Sequence, residues 1–229
     1  ARRLVADQFR SHRTFICGDA AHLWVPMAGY GMNAGIADAM NLSWTLAAYI
    51  NGWAGESILE LYQIERQPIT AQVSKFAMNH AIKLHKERVK VPANIEENSV
   101  EGQESRNSFG QMLYDLNVRQ YCCSGLNFGY YYDQSPAIVY DEELAPSYDM
   151  NEFTSSTVPG CRLPHFWLED GSSLYDCLGQ EYTLIQFDLS QNLQQLKKIA
   201  DDKGIPLTVL NISQAKPEHL GYKHNFILV

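Results

Sequence analysis

No run in this 229-residue chain is long and apolar enough to cross a membrane, since a spanning helix needs roughly 20 continuous apolar residues. No secretory signal pattern stands at the start, where Ala1-Arg2-Arg3 leads straight into polar sequence. Basic residues are scarce: 18 Lys and Arg stand against 26 Asp and Glu, a formal net charge of −8. No basic stripe exists to displace the counterions of a phosphate backbone, which excludes nucleic acid as a partner. The five cysteines are odd in number and show neither C-x-x-C nor any metal-ligand spacing. They fit a reduced cytoplasmic protein with buried thiols, and a vicinal Cys122-Cys123 disulfide stands as the second choice. A Gly-x-Gly-x-x-Gly fingerprint, an internal repeat and a low-complexity segment are all absent. With 45% hydrophobic and 19% charged residues, the composition is that of a soluble globular protein able to bury a core.

Periodicity divides the chain into a helical first half and an αβ second half. Thr14-Phe15-Ile16-Cys17 reads as a short buried strand ending at the Gly18-Asp19 turn. A glycine-bearing loop from Ala20 to Met32 follows, with Asn33 as N-cap of a helix over 34–50. Ile36, Met40, Trp44, Ala47 and Ile50 recur at helical spacing and predict its buried face. Ser57-Ile58-Leu59-Glu60 has capping-box form and opens a second helix running to about Lys90, with a kink expected at Pro68. Residues 91–108 read as a polar connection, 109–121 as a further helix, 137–140 as a strand and 142–157 as loop. Beyond them the order is strand 182–187, helix 192–203, strand 207–212 and strand 226–229, a βαβ rhythm favouring a small parallel sheet. His224 to Val229 reads as a strand cut in mid-run, and both ends read as interruptions.

One stretch carries chemistry: Gly18-Asp19-Ala20-Ala21-His22, Pro26, Gly29-Tyr30-Gly31-Met32-Asn33, Gly35, Asp38-Ala39 and Asn41-Leu42. A Gly-Asp turn after a strand sets the Asp19 carboxylate at the carboxyl edge of a sheet, where open α/β sheets bind ligands. Glycines then let backbone approach a ligand closely. The first N–H groups of a helix, at Gly31 to Asn33, face an anion or an electron-rich carbonyl. Singly, each feature is commoner as plain structure, an Asp after a strand being often a turn-former. Their order and spacing together point to a polar acceptor beside a nest of donors.

That combination resembles the second FAD-binding motif of the class A flavoprotein monooxygenases, the aromatic-ring hydroxylases of the phenol hydroxylase and hydroxyphenylpropionate hydroxylase kind. It stands here as Arg13-Thr14-Phe15-Ile16-Cys17-Gly18-Asp19-Ala20-Ala21-His22 followed by Pro26 to Trp44. Tyr62, Glu65, Arg66 and Pro68 resemble the Y-x-x-E-R-x-P pattern of the next helix, and Leu126 to Tyr130 and Pro159 to His165 resemble segments of the phenol-hydroxylase-like subgroup. The resemblance implies a mixed α/β fold: 1–125 as the C-terminal part of an FAD-binding domain with long helices, and 126–229 as a thioredoxin-like βαβ domain without C-x-x-C. It implies FAD binding through Gly18, Asp19, Pro26, Gly29, Gly31, Met32 and Asn33. Asp19 would bond a ribityl hydroxyl, Gly31 to Asn33 would offer N–H groups to the pyrimidine end of the flavin, and Pro26 would line the ring. The activity implied is hydroxylation of a phenol with O2 and NADH or NADPH through a flavin C4a-hydroperoxide, in a cytoplasmic homodimer. No catalytic acid or base and no metal ligand is assigned within this chain.

Two other readings accompany this one: a non-catalytic fragment or pseudoenzyme acting in dimerisation or partner binding, and another flavoenzyme of the same superfamily. The remaining candidates read as structure. His22 is packing or loop support, Tyr130-Tyr131-Tyr132 is aromatic packing, and His80 and His85, five apart, do not share a helix face. Lys83, Lys86, Arg88 and Lys90 suit a solvated helix C-terminus. Asp188-Leu189-Ser190-Gln191-Asn192 holds no cysteine where a redox module would need one.

Overall fold

The computed structural model describes residues 2–26, 29–213 and 217–229, without the side chains of Arg119, Gln120, His219 and Leu220. Met27 and Ala28 of the quoted motif lie outside the described residues. The chain is mixed α and β and forms two compact units. The first holds Ala1–Ser43, Glu60–Tyr130 and Tyr148–Thr154, and the second Trp44–Leu59, Tyr131–Ser147 and Ser155–Val229.

In the first unit four two-residue strands form two antiparallel pairs. β1 (Leu4–Val5) pairs with β4 (His22–Leu23), and β2 (Arg10–Ser11) with β3 (Thr14–Phe15). The strand expected over 14–17 is therefore one arm of a short hairpin, not the edge of a parallel sheet. After Ile16, whose N–H still donates to the Phe9 carbonyl at 3.0 Å, the chain coils into a 3-10 turn at Gly18–Ala20.

Helix α1 spans Tyr30–Ile50, beginning three residues before the expected N-cap. Gly29, at φ 69°, lets the chain turn directly into the helix. Asn33 lies inside the first turn and its amide donates back to the Gly29 carbonyl at 2.9 Å. The expected buried face of α1 is not the one observed. Ile36, Met40 and Ile50 are exposed, and Asp38, Thr45 and Ala48 are buried.

Helix α2 spans Leu61–Arg88 and follows a 3-10 turn at Glu56–Glu60. Because the chain is already coiled there, the Ser57–Glu60 pattern does not act as a box; Glu60 is helical and caps with no side-chain bond. Pro68 stands inside α2 without ending it, at the cost of one backbone hydrogen bond. Basic side chains close its last turn, as expected. Helix α3 spans Val100–Tyr121, nine residues longer at its start than expected. Ser99 caps it, accepting from the Gly102 N–H at 3.0 Å. A short α4 (Ser124–Phe128) follows.

The second unit carries strands β5 (Tyr182–Gln186), β6 (Leu207–Asn211) and β7 (Phe226–Leu228), with α5 (Gln194–Asp202) between the first two. Their order is β6–β5–β7. β6 runs parallel to β5, as the βαβ pattern requires, and β7 runs antiparallel. Leu174, Ile185, Phe187, Ile212 and Tyr222 form the core against it. Residues 137–140 form no strand: the Tyr140 hydroxyl accepts from the Ser135 N–H at 2.9 Å and donates to the Tyr132 carbonyl at 2.7 Å, pinning a loop. Among the described residues no helix is long and apolar enough to cross a membrane.

Candidate functional site

The predicted site residues fall on two neighbouring pieces of the first unit: the turn at Gly18–Asp19 and the start of α1. Gly18 adopts φ 57°, a left-handed conformation that suits glycine. A Cβ added to Gly35 would sit only 3.2 Å from the Gly18 Cα, so the turn and the second turn of α1 touch backbone to backbone. This close approach sets the turn that carries Asp19 against α1. Gly35, part of the motif but not counted among the site residues, is what makes it possible.

Asp19 is exposed, and among the described residues its carboxylate has no partner. Pro26, Gly29, Met32 and Asn33 are exposed too, and Gly31 is half-buried. Among the described residues, apart from chain neighbours and the backbone of α1 itself, nothing lies within 4 Å of where a Cβ on Gly29 or Gly31 would stand. In a helix starting at Tyr30 the N–H groups of Gly31 and Met32 have no intrahelical acceptor. The site thus offers a carboxylate acceptor that has no partner among the described residues and, on the same unit, the N–H groups of a first helical turn at its positive end. A polyhydroxyl chain suits the first, and a carbonyl that gains negative charge suits the second. This donor set fits a flavin.

Beneath this surface lies a support that sequence reasoning only partly found. Asp38 is fully buried; its Oδ2 accepts from His22 Nε2 at 2.6 Å and from the Gly18 N–H at 3.3 Å. Its Oδ1 accepts from Arg66 Nε at 3.0 Å, and Arg66 is also buried. Burial alone would raise the Asp38 carboxyl; the His22 hydrogen bond and the Arg66 guanidinium outweigh it and hold the group below its ordinary value. His22 stacks on Trp24 with ring centroids 4.8 Å apart and its Nδ1 is buried with no partner among the described residues. His22 is therefore internal, in keeping with packing and loop support.

Helix α2 explains the Y-x-x-E-R-x-P pattern. The Tyr62 hydroxyl donates to the Ile16 carbonyl at 2.7 Å, just before the Gly18 turn. Burial pushes the Tyr62 phenol well up, so it stays a donor. Glu65 accepts from Asn41 at 2.6 Å and Arg66 reaches Asp38. Gln63 and Gln67, between them, bond the backbone of residues 6–10. At the other end Tyr30 is buried and its hydroxyl contacts the Cys123 thiol, which anchors the first turn of α1. That pair spans 93 positions and had no signal in the sequence.

Residues 1–77 match a family model described as FAD binding domain. The chain is 34% identical over 228 residues to the FAD-dependent monooxygenase apdD of Emericella nidulans, covering 95% of this chain and 36% of that protein. To phenol 2-monooxygenase of a Pseudomonas species it is 30% identical over 237 residues, covering 92% and 39%.

The chain is similar to FAD-dependent monooxygenases along nearly its whole length.

Solved structures agree in fold. RebC-10x, native and bound to K252c, superposes with a TM-score of 0.87 at 30% identity, over 98% of this chain and 42% of that one. The flavin-dependent monooxygenase PieE, in complex with FAD and substrate, superposes with a TM-score of 0.78 at 26% identity, over 98% and 44%. The chain spans between 36% and 44% of the length of these four relatives.

Other candidates resolve as structure. His165 bonds the Ser173 hydroxyl at 2.9 Å and sits edge-on to Trp167 and Tyr175. Asp188 accepts from the Ser190 N–H and hydroxyl in a tight turn. Among the described residues no group of His, Cys, Asp and Glu could hold a metal ion, and none of the five cysteines forms a disulfide.

Proposed function

We propose that this chain supplies the ribityl and pyrimidine side of the FAD site in a monooxygenase that hydroxylates a phenolic substrate. The observation that carries the reading is an Asp19 carboxylate with no partner among the described residues, on a turn set against α1 by the Gly18–Gly35 approach. Asp19 accepts from a ribityl hydroxyl. The Gly31 and Met32 N–H groups, with Asn33, donate to the pyrimidine carbonyl and stabilise negative charge there. Gly18 and Gly29 shape the two turns, and Pro26 lies along the ring. Bound FAD would supply the electron-transfer and oxygen chemistry; the chain's part is orientation and charge.

The reading extends to O2 and a reduced nicotinamide as co-substrates and to a cytoplasmic homodimer. It assigns 1–125 to the flavin domain and 126–229 to a thioredoxin-like domain, which the β6–β5–β7 order with an antiparallel third strand supports. The relatives named as monooxygenases favour an enzyme over a non-catalytic fragment.

The test is flavin retention after desalting in the protein that carries this chain. Asp19→Ala and Gly31→Val are each expected to weaken FAD binding about tenfold or more, the scale of a lost hydrogen bond to a charged group or a blocked donor. Wild-type flavin content in both variants would refute this placement.

A further inference from the structure

Resting on that reading, we infer that Asp38, with His22 and Arg66, is the positioning device that holds the two flavin-contacting pieces in register. Asp38 touches no solvent, so it cannot itself meet the cofactor. It instead lies two turns into α1, and its two oxygens reach three separate places. Oδ2 takes the N–H of Gly18, the residue directly before Asp19. The same oxygen holds His22, which fixes the strand beyond the turn. Oδ1 holds Arg66 on α2, whose neighbour in the next turn back, Tyr62, grips the carbonyl of Ile16 before the turn.

Both flanks of the Gly18–Asp19 turn are thus tied to the helix that presents the Gly31 and Met32 donors. A shift of α1 along its axis would break the Asp38 contacts before moving either flavin-facing group alone. A buried ionised cluster is a poor way to gain stability, since apolar residues of like volume often do as well. Its directional bonds do fix geometry to a fraction of an ångström, which a bidentate cofactor contact requires.

A second tie between the same two helices makes the inference testable. Asn41 donates to Glu65 at 2.6 Å, joining α1 to α2 one turn further on. Loosening the helix pair in general should follow from Asn41→Ala. Losing the register of the turn should follow only from changes at Asp38.

The experiment measures the FAD dissociation constant, the visible circular dichroism of bound flavin and the thermal midpoint in the protein that carries this chain. The double variant Asp38→Leu/Arg66→Met removes both charges together, so it is expected to fold. It should bind FAD about tenfold or more weakly, as loss of a supporting contact does in other sites, with an altered visible dichroism. Asp38→Asn, which keeps the shape, should move both readouts the same way and covers the case in which the double variant does not fold. Asn41→Ala should lower the thermal midpoint yet leave affinity within about twofold and the dichroism unchanged. Wild-type affinity and dichroism in the Asp38 variants overturn the inference, as does an equal loss in Asn41→Ala. If Asp19→Ala weakens FAD binding and the Asp38 variants do not, this inference alone falls. If wild type binds no FAD, or Asp19→Ala is also silent, the flavin reading falls with it.

Discussion

Around Asp38 the first unit packs a carboxylate, a guanidinium and an imidazole where water does not reach. Around Ile185 the second unit packs Leu174, Phe187, Ile212 and Tyr222, with the Tyr222 hydroxyl as the polar handle, donating to the Pro164 carbonyl. The apolar cluster gains stability from area removed from water and tolerates small shifts. The ionic cluster gains little net stability but admits one arrangement only. Next to the open acceptor and donors of the cofactor site, a single arrangement is what the chemistry needs.

The comparison breaks most visibly at Arg66. Arg66→Ala leaves the Asp38 carboxylate buried with His22 and the Gly18 N–H but no paired cation, and should cost about 3–5 kcal/mol. Ile185→Ala, at the centre of the other core, should cost about 3 kcal/mol, from lost transfer energy plus a cavity. Denaturant unfolding of both variants measures the difference. Only Arg66→Ala should also reduce flavin content. An Arg66 variant as stable as wild type would mean that the cluster is not needed for folding.

A smaller effect separates the units by pH. Burial, with Lys83 nearby, holds His80 below its ordinary value, and its Nε2 is buried without a partner. Because the folded pKa is depressed, the unfolded chain binds the proton first. Stability is complete above the ordinary histidine value and falls as pH drops from about 6.5 toward the lowered folded value. His80→Phe, which can keep the stacking on Phe76, should flatten that part of the stability profile. An unchanged slope would remove His80 from the account. Smallest of all is the cap: Ser99→Ala should cost about 1 kcal/mol through the lost bond to Gly102, read as a lower midpoint in urea.

What could be read from the sequence was local. The glycines and Asp19 declared a turn and a helix start because their backbone demands are short-range. The strands of the second unit showed in their β-branched and aromatic runs. The face of α1 is not legible in this way: the helical spacing of Ile36, Met40 and Ile50 predicts burial, whereas the helix buries Asp38, Thr45 and Ala48. Charge on a buried face inverts the usual signal. The early start of α3 was hidden by its polar sequence, although Ser99 ahead of an acidic first turn is a cap pattern. The Asp38–His22–Arg66 cluster joins three segments up to 44 positions apart (His22 to Arg66), and side-chain partnership at that range leaves no periodic mark.

The most direct test of the central claim is a crystal structure of the protein carrying this chain with FAD bound. The account predicts the Asp19 carboxylate within about 3 Å of a ribityl hydroxyl, and the Gly31 and Met32 N–H groups facing the pyrimidine end of the ring. A flavin seated away from the start of α1, or an Asp19 turned to solvent beside it, would contradict the account.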